Sequence, residues 1–133
     1  MVDPAPESPH EDLLDDLDRM HIIATSATGV LPEARLRRLL QREARELHTA
    51  LMAHFQAEEE GRYMGAVLDR VPSLDQTVDR LHAQHAEIDT RLGKLVDDCL
   101  DGPLEALRDR ASAILDLVGE HERDEIELVE RAR

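Results

Sequence analysis

Apolar residues recur along this chain at alternating spacings of three and four positions. Residues at these spacings share one face of an α-helix, because the helix has about 3.6 residues per turn. The pattern therefore predicts helices that each bury one face. In its second half the chain carries two such stripes, which are Leu74, Val78, Leu81, His85, Ile88, Leu92 and Leu95, and then Leu104, Leu107, Ala111, Ile114, Val118, His121, Glu125 and Leu128.

Glycine and proline interrupt the pattern at three places, around Gly29 and Pro32, at Pro72, and at Gly102 and Pro103. Each break is typical of a helix end followed by a helix start. The predicted helices cover residues 8–28, 33–69, 73–100 and 104–131. Because short connections make neighbouring helices antiparallel, we expect an all-α, up-down-up-down four-helix bundle over residues 8–133. Residues 1–7 are expected to form a flexible N-terminal tail.

The stripes of the first two helices contain polar residues at apolar positions. In the first helix the stripe is His10, Leu14, Leu17, His21 and Ala24, and in the second it is Leu36, Leu40, Leu47, Leu51, His54 and Glu58. The four stripes are thus apolar except for histidine and glutamate, and each carries at least one histidine.

Antiparallel packing predicts which of these polar positions meet. Folding back near residues 30–31 brings His10 opposite residue 51, one turn from His54. Folding back at Gly102 brings His85 opposite residue 119, next to His121. The prediction is one polar layer in the core, made of His10, His54, Glu58, His85, His121 and Glu125.

The chemistry of such a layer favours a metal. A buried carboxylate without partners costs several kcal/mol. Cations satisfy carboxylates and neutral imidazoles together, since each is a ligand in its deprotonated form. In His54-x-x-x-Glu58 and His121-x-x-x-Glu125 both groups lie on one helix face, so each helix offers one nitrogen and one bridging carboxylate. This donor set suits iron or manganese better than copper.

Composition excludes several other classes of function. The formal net charge of -14 argues against nucleic acid as a partner, and no apolar run is long enough for a membrane span. The only cysteine is Cys99, so no internal disulfide can form. The chain opens without a secretory signal pattern. The expected location is therefore the cytoplasm.

The two compact motifs "HFQAEE" and "HERDE", with a histidine on each of the other two helices, resemble the hemerythrin-like (HHE) cation-binding domain family. The resemblance covers the chain from His10 onward. It implies an up-down bundle that holds two non-haem iron ions, Fe2+ or Fe3+, bridged by two carboxylates. In one form of the centre an oxo group is expected as a further bridge. It also implies binding of dioxygen or a related small molecule, such as nitric oxide or peroxide.

The chain departs from the oxygen-carrying hemerythrins on the third helix, where these proteins have two histidines four positions apart. Here His82 is three positions before His85 and is expected to flank the site, while Glu59 is expected to face solvent. His21 is the alternative to His10 as the ligand from the first helix. Tyr63 is expected to pack beside the cluster.

Three functions stay open on the sequence alone. The favoured one is a small-molecule binding protein with a di-iron centre. The second is a di-iron enzyme with peroxidase, catalase or oxidase activity, and the third is a metal-free structural bundle. The sequence leaves any protein partner unidentified.

Overall fold

The structure, a computed structural model, describes residues 9–25, 31–60 and 63–132, and the side chains of these residues except 9–12, 60 and 63. The predicted tail at residues 1–7 lies outside this part. The helices are α1 (Pro9–Thr25), α2 (Glu33–Glu60), α3 (Tyr63–Arg70), α4 (Asp75–Asp98) and α5 (Leu104–Arg131), with a 3₁₀ turn at Pro72–Leu74 before α4. The described residues contain no strand.

Four long helices form the bundle, and each packs against two neighbours in the cyclic order α1, α2, α4, α5. Side-chain contacts between the helices show their relative directions. Arg37 near the start of α2 donates to the carbonyl of Cys99 just after α4, whereas Glu59 at the end of α2 contacts His82 near the start of α4. These two helices are therefore antiparallel. Arg110 of α5 pairs in the same antiparallel sense with Asp98 of α4.

The first helix is antiparallel to both of its neighbours. Arg19 of α1 pairs with Glu43 of α2, and the guanidinium of Arg108 near the start of α5 donates to the carbonyl of Ala24 near the end of α1. The predicted up-down-up-down bundle is thus confirmed. None of the described helices is long and apolar enough to cross a membrane.

The hydrophobic core is divided into two clusters along the bundle. The larger cluster fills most of the length and ends at Leu51, Phe55 and Ile88. The smaller one closes one end of the bundle with residues from α3, the 3₁₀ turn and the ends of α4 and α5, among them Leu81 and Leu128. Four of the predicted polar residues lie between these two clusters in sequence and separate the core into two apolar parts, namely Glu58, His85, His121 and Glu125.

The predicted stripe of α1 is correct at Leu17 and Ala24 but wrong at Leu14 and His21. Leu14 is 42% exposed and His21 is exposed, whereas Leu13 and Met20 are each only 1% exposed. The buried face of the described part of α1 is instead formed by Leu13, Leu17, Met20 and Ala24. Both sets have spacings of three and four, so periodicity alone does not distinguish them. The side of α1 that contacts α2 and α5 decides which set is buried.

This correction makes a direct prediction for stability. Leu13→Ala leaves a cavity in the core, so the free energy of unfolding should fall by roughly 2–4 kcal/mol. Leu14→Ala removes a side chain that is exposed, and its effect should stay within about 0.5 kcal/mol. Urea unfolding of the two variants measures both values. Equal losses in the two variants would contradict the assigned face of α1.

Candidate metal centre

The polar layer brings together side chains from three helices. One ligand atom each from Glu58, His85, His121 and Glu125 lies within 4.8 Å of the others. His85 and His121 are buried, and the two glutamates are partly buried. Helix α2 provides Glu58, α4 provides His85, and α5 provides both His121 and Glu125. Four of the six residues predicted for the layer are therefore found in one cluster.

The other two predicted residues, His54 and His10, are not members of this four-residue cluster. Nε2 of His54 lies 2.7 Å from Oε1 of Glu58, so this histidine touches the cluster through that carboxylate. His10 belongs to α1, but its side chain lies outside the described residues, as does that of Tyr63. His21 is exposed on the surface of α1. The geometry thus connects five of the six predicted residues and says nothing of the sixth.

The two core histidines face each other through their Nε2 atoms, which are 3.1 Å apart. Their other ring nitrogens point to acceptors. Nδ1 of His85 is 3.2 Å from Oε1 of Glu59, and Nδ1 of His121 is 2.7 Å from Oε1 of Gln84. Both contacts require a proton on Nδ1, because a carboxylate or an amide oxygen only accepts.

A short network fixes the orientation of the Gln84 amide. Its Nε2 donates to Oδ2 of Asp124 at 2.8 Å, and a carboxylate cannot donate in return. The amide oxygen of Gln84 must therefore point to His121. It follows that Nδ1 of His121 carries the proton and that its Nε2 has a free lone pair directed at His85.

Two neutral imidazoles whose lone pairs face each other at this distance repel unless a cation lies close by. A proton on one Nε2 would make that ring an imidazolium. Burial lowers the pKa of His85 and so opposes this, although its contact with Glu59 acts in the other direction. A metal ion is the alternative cation, and neutral Nε2 atoms with protonated Nδ1 atoms are the usual form of metal-ligating histidine.

One of the two carboxylates, Glu58, also lacks hydrogen bonds. Both oxygens of Glu58 are buried without a hydrogen bond among the described residues, and the nearest positive group is the ring of His54, whose Nε2 lies 2.7 Å from Oε1. Burial raises the pKa of Glu58, with an opposing contribution from His54. Burial acts in the same direction on Glu125, but its interactions with His121 and Glu58 outweigh burial and hold the pKa of Glu125 below its usual value.

The pKa of His54 is raised, first by its contact with Glu58 and then, against the effect of burial, by nearby carboxylates. The layer therefore contains acidic groups whose charge is only partly compensated by histidine. Two imidazole nitrogens and two carboxylates around one buried point form a donor set that fits a divalent or trivalent cation. The residues present thus suit a metal.

An aromatic ring closes the site on the side of the larger core cluster. Phe55 stacks on His85 with ring centroids 3.9 Å apart and an angle of 10° between the planes. It also contacts the ring of His121 edge-on, with ring centroids 5.2 Å apart. The stacking holds the plane of the His85 ring and keeps the metal-facing nitrogens next to apolar surface.

The sequence did not reveal the residues that orient the histidines. Gln84 precedes a stripe residue and is three positions from Leu81, so its burial could have been suspected from spacing. Its bond to His121 joins two different helices, and periodicity carries no such information. Glu59 is about half exposed, as expected, yet it also contacts His85 and His82.

An all-helical bundle with histidines and carboxylates gathered inside it defines a class, that of metal-binding helical bundles. The sequence profile of the hemerythrin HHE cation binding domain matches residues 7–132, nearly the whole chain. The chain belongs to this family and is a cation-binding helical protein. No curated protein and no solved structure matched it significantly.

Proposed function

We propose that this protein is a non-haem di-iron protein that binds dioxygen or a related small molecule, such as nitric oxide or peroxide. The observation that carries the proposal is the buried layer in which two Nε2 atoms and two carboxylates converge, with both oxygens of Glu58 left without hydrogen bonds. The assigned ligands are His10, His54, Glu58, His85, His121 and Glu125. A di-iron centre with these ligands supplies reversible binding of small oxygen-related molecules.

Each group has a distinct part in this proposal. Glu58 and Glu125 come from different helices and face each other, which suits carboxylates that bridge two ions. His85 and His121 offer Nε2, and Glu59 and Gln84 hold their Nδ1 protons. Phe55 excludes water from one side of the ring of His85. The expected location is the cytoplasm, where a single reduced thiol such as Cys99 persists.

The test of small-molecule binding uses the protein loaded with Fe2+ under argon. We expect its optical spectrum to change when dioxygen or nitric oxide is added stoichiometrically, and to return when the gas is removed. An unchanged spectrum would contradict the proposal. Continuous consumption of dioxygen or of added peroxide would instead indicate an enzyme, since a binding protein takes up its ligand only once.

A second prediction concerns Gln84, which is not itself a metal ligand but orients the ligand His121. Gln84→Leu removes the acceptor that holds the proton of His121 on Nδ1, so the affinity for metal should fall about 10- to 100-fold. Gln76→Leu changes an exposed glutamine of the same helix and should leave the affinity unchanged. Competition with a chelator of known affinity measures both. Equal affinities in the two variants would show that this hydrogen bond does not support the site.

A further inference from the structure

A second group of possible ligands lies outside the core, between α2 and α4. Nδ1 of His82 and Nδ1 of His85 approach the same oxygen of Glu59, at 3.3 Å and 3.2 Å. One ligand atom from each of the three residues lies within 4.8 Å of the others. The side chains of Glu59 and His82 are each nearly half exposed, whereas His85 is buried. The group therefore extends from the surface to the core.

A surface cleft leads to this group. Its volume is about 340 Å³, and Glu59, His82 and Asp89 line it together with the stacked pair of Phe55 and His85. The carboxylate of Glu59 and the exposed imidazole of His82 make the cleft attractive to a divalent cation, and Asp89, which also pairs with His48, adds negative charge at its edge. Acidic clefts of this kind raise the local concentration of cations and their rate of binding.

His85 belongs to both clusters. Its Nδ1 faces Glu59 in the cleft, and its Nε2 faces His121 in the core. A cation held by Glu59 and His82 is therefore separated from the core layer by one imidazole ring. Nδ1 of His82 faces Glu59 in the metal-free protein, but the ring is exposed, so its proton can move to Nε2 when a cation takes the place of that contact and Nδ1 becomes a ligand.

We infer that Glu59 and His82 form an entry site that binds a divalent cation from solvent before the core ligands take it up. The inference rests on the proposed function, since it concerns how the core layer acquires its metal. Glu59 would supply a carboxylate oxygen, His82 would supply Nδ1, and water would complete the coordination. Because His85 lies between the entry site and the core layer, a cation held there would already be close to the core ligands.

The experiment measures the rate and the extent of loading separately. Metal-free protein is mixed with Co2+, samples are stopped with excess EDTA at successive times, and the retained metal is counted after desalting. We expect Glu59→Gln and His82→Gln each to slow loading about tenfold, the lower end of the effect of charge on association rates. We expect the final metal content of His82→Gln, whose side chain lies outside the core layer, to equal that of the unmodified protein.

A matched control removes an equal charge elsewhere. Glu127→Gln changes an exposed residue of α5 that does not line the cleft, and it should load at the unmodified rate. Unmodified rates in both cleft variants would overturn the inference. A normal rate in His82→Gln, with weaker final binding in Glu59→Gln, would also overturn it, because Glu59 would then act only by orienting His85. If the unmodified protein retains no metal, the proposed function itself fails.

Discussion

Replacing Glu58 by glutamine is expected to stabilise the metal-free protein and to weaken its binding of metal. Glu58 carries two buried oxygens without hydrogen bonds, and its charge lies close to that of Glu125. Glutamine has nearly the same shape and no charge. At pH 7 the free energy of unfolding in the presence of EDTA should rise by roughly 1–3 kcal/mol, because glutamine puts no charge into the core and does not repel Glu125.

The same change should lower bound iron from about two ions per chain, because a bridging carboxylate is lost. The two effects have opposite signs, and this combination distinguishes a metal ligand from a structural residue. Urea unfolding with EDTA and metal analysis after reconstitution provide the measurements. Glu127→Gln is the control and should change neither value. A variant that is less stable without metal and binds a normal amount of iron would contradict the bridging assignment.

The stabilisation by Glu58→Gln should also depend on pH. Burial raises the folded-state pKa of Glu58 above its unfolded value, so the folded protein binds this proton more tightly. As the pH falls through the folded-state pKa towards the unfolded one, protonation of Glu58 stabilises the unmodified metal-free protein. The advantage of the glutamine variant should therefore shrink in this range and be largest above it. Unfolding free energies of both proteins in EDTA between pH 4 and pH 8 test this.

Replacing His10 by alanine is expected to remove most of the stabilisation that metal provides, whereas His21→Ala should keep it. The pair of Arg19 with Glu43 sets the register of α1 against α2. Extended along the antiparallel helices, this register puts position 10 at the level of residue 52 and position 21 at the level of residue 41. The two positions are eleven residues apart, about 16 Å along a helix.

The buried stripe of α1 supports the same choice. A step of three residues back from Leu13 reaches position 10, whereas His21 lies off the stripe and is exposed. At metal concentrations about a thousandfold above the dissociation constant, bound metal stabilises the folded state by about 4 kcal/mol. Thermal unfolding with and without Fe2+ measures how much of this each variant retains. Loss of the metal effect in His21→Ala alone would contradict the register.

The polar layer could be predicted from the sequence for a physical reason. In α4 and α5 the apolar residues recur at spacings of three and four along the whole helix, so only one face of each helix can be buried. His85 and His121 lie on that face. In α1 the adjacent residues Leu13 and Leu14 fit the helical period equally well, and packing against α2 and α5 decides between them. Side-chain networks such as Gln84 with His121 depend on how two helices meet, which a one-dimensional pattern does not contain.

The most direct test of the central proposal is metal binding by the unmodified protein. Protein prepared metal-free with a chelator is titrated with Fe2+ under argon and then exposed to air, and metal content, optical spectrum and unfolding temperature are recorded. The account predicts about two iron ions per chain, a higher unfolding temperature and near-ultraviolet absorption from an oxo-bridged centre. A colourless protein that retains no iron and unfolds at an unchanged temperature would contradict it.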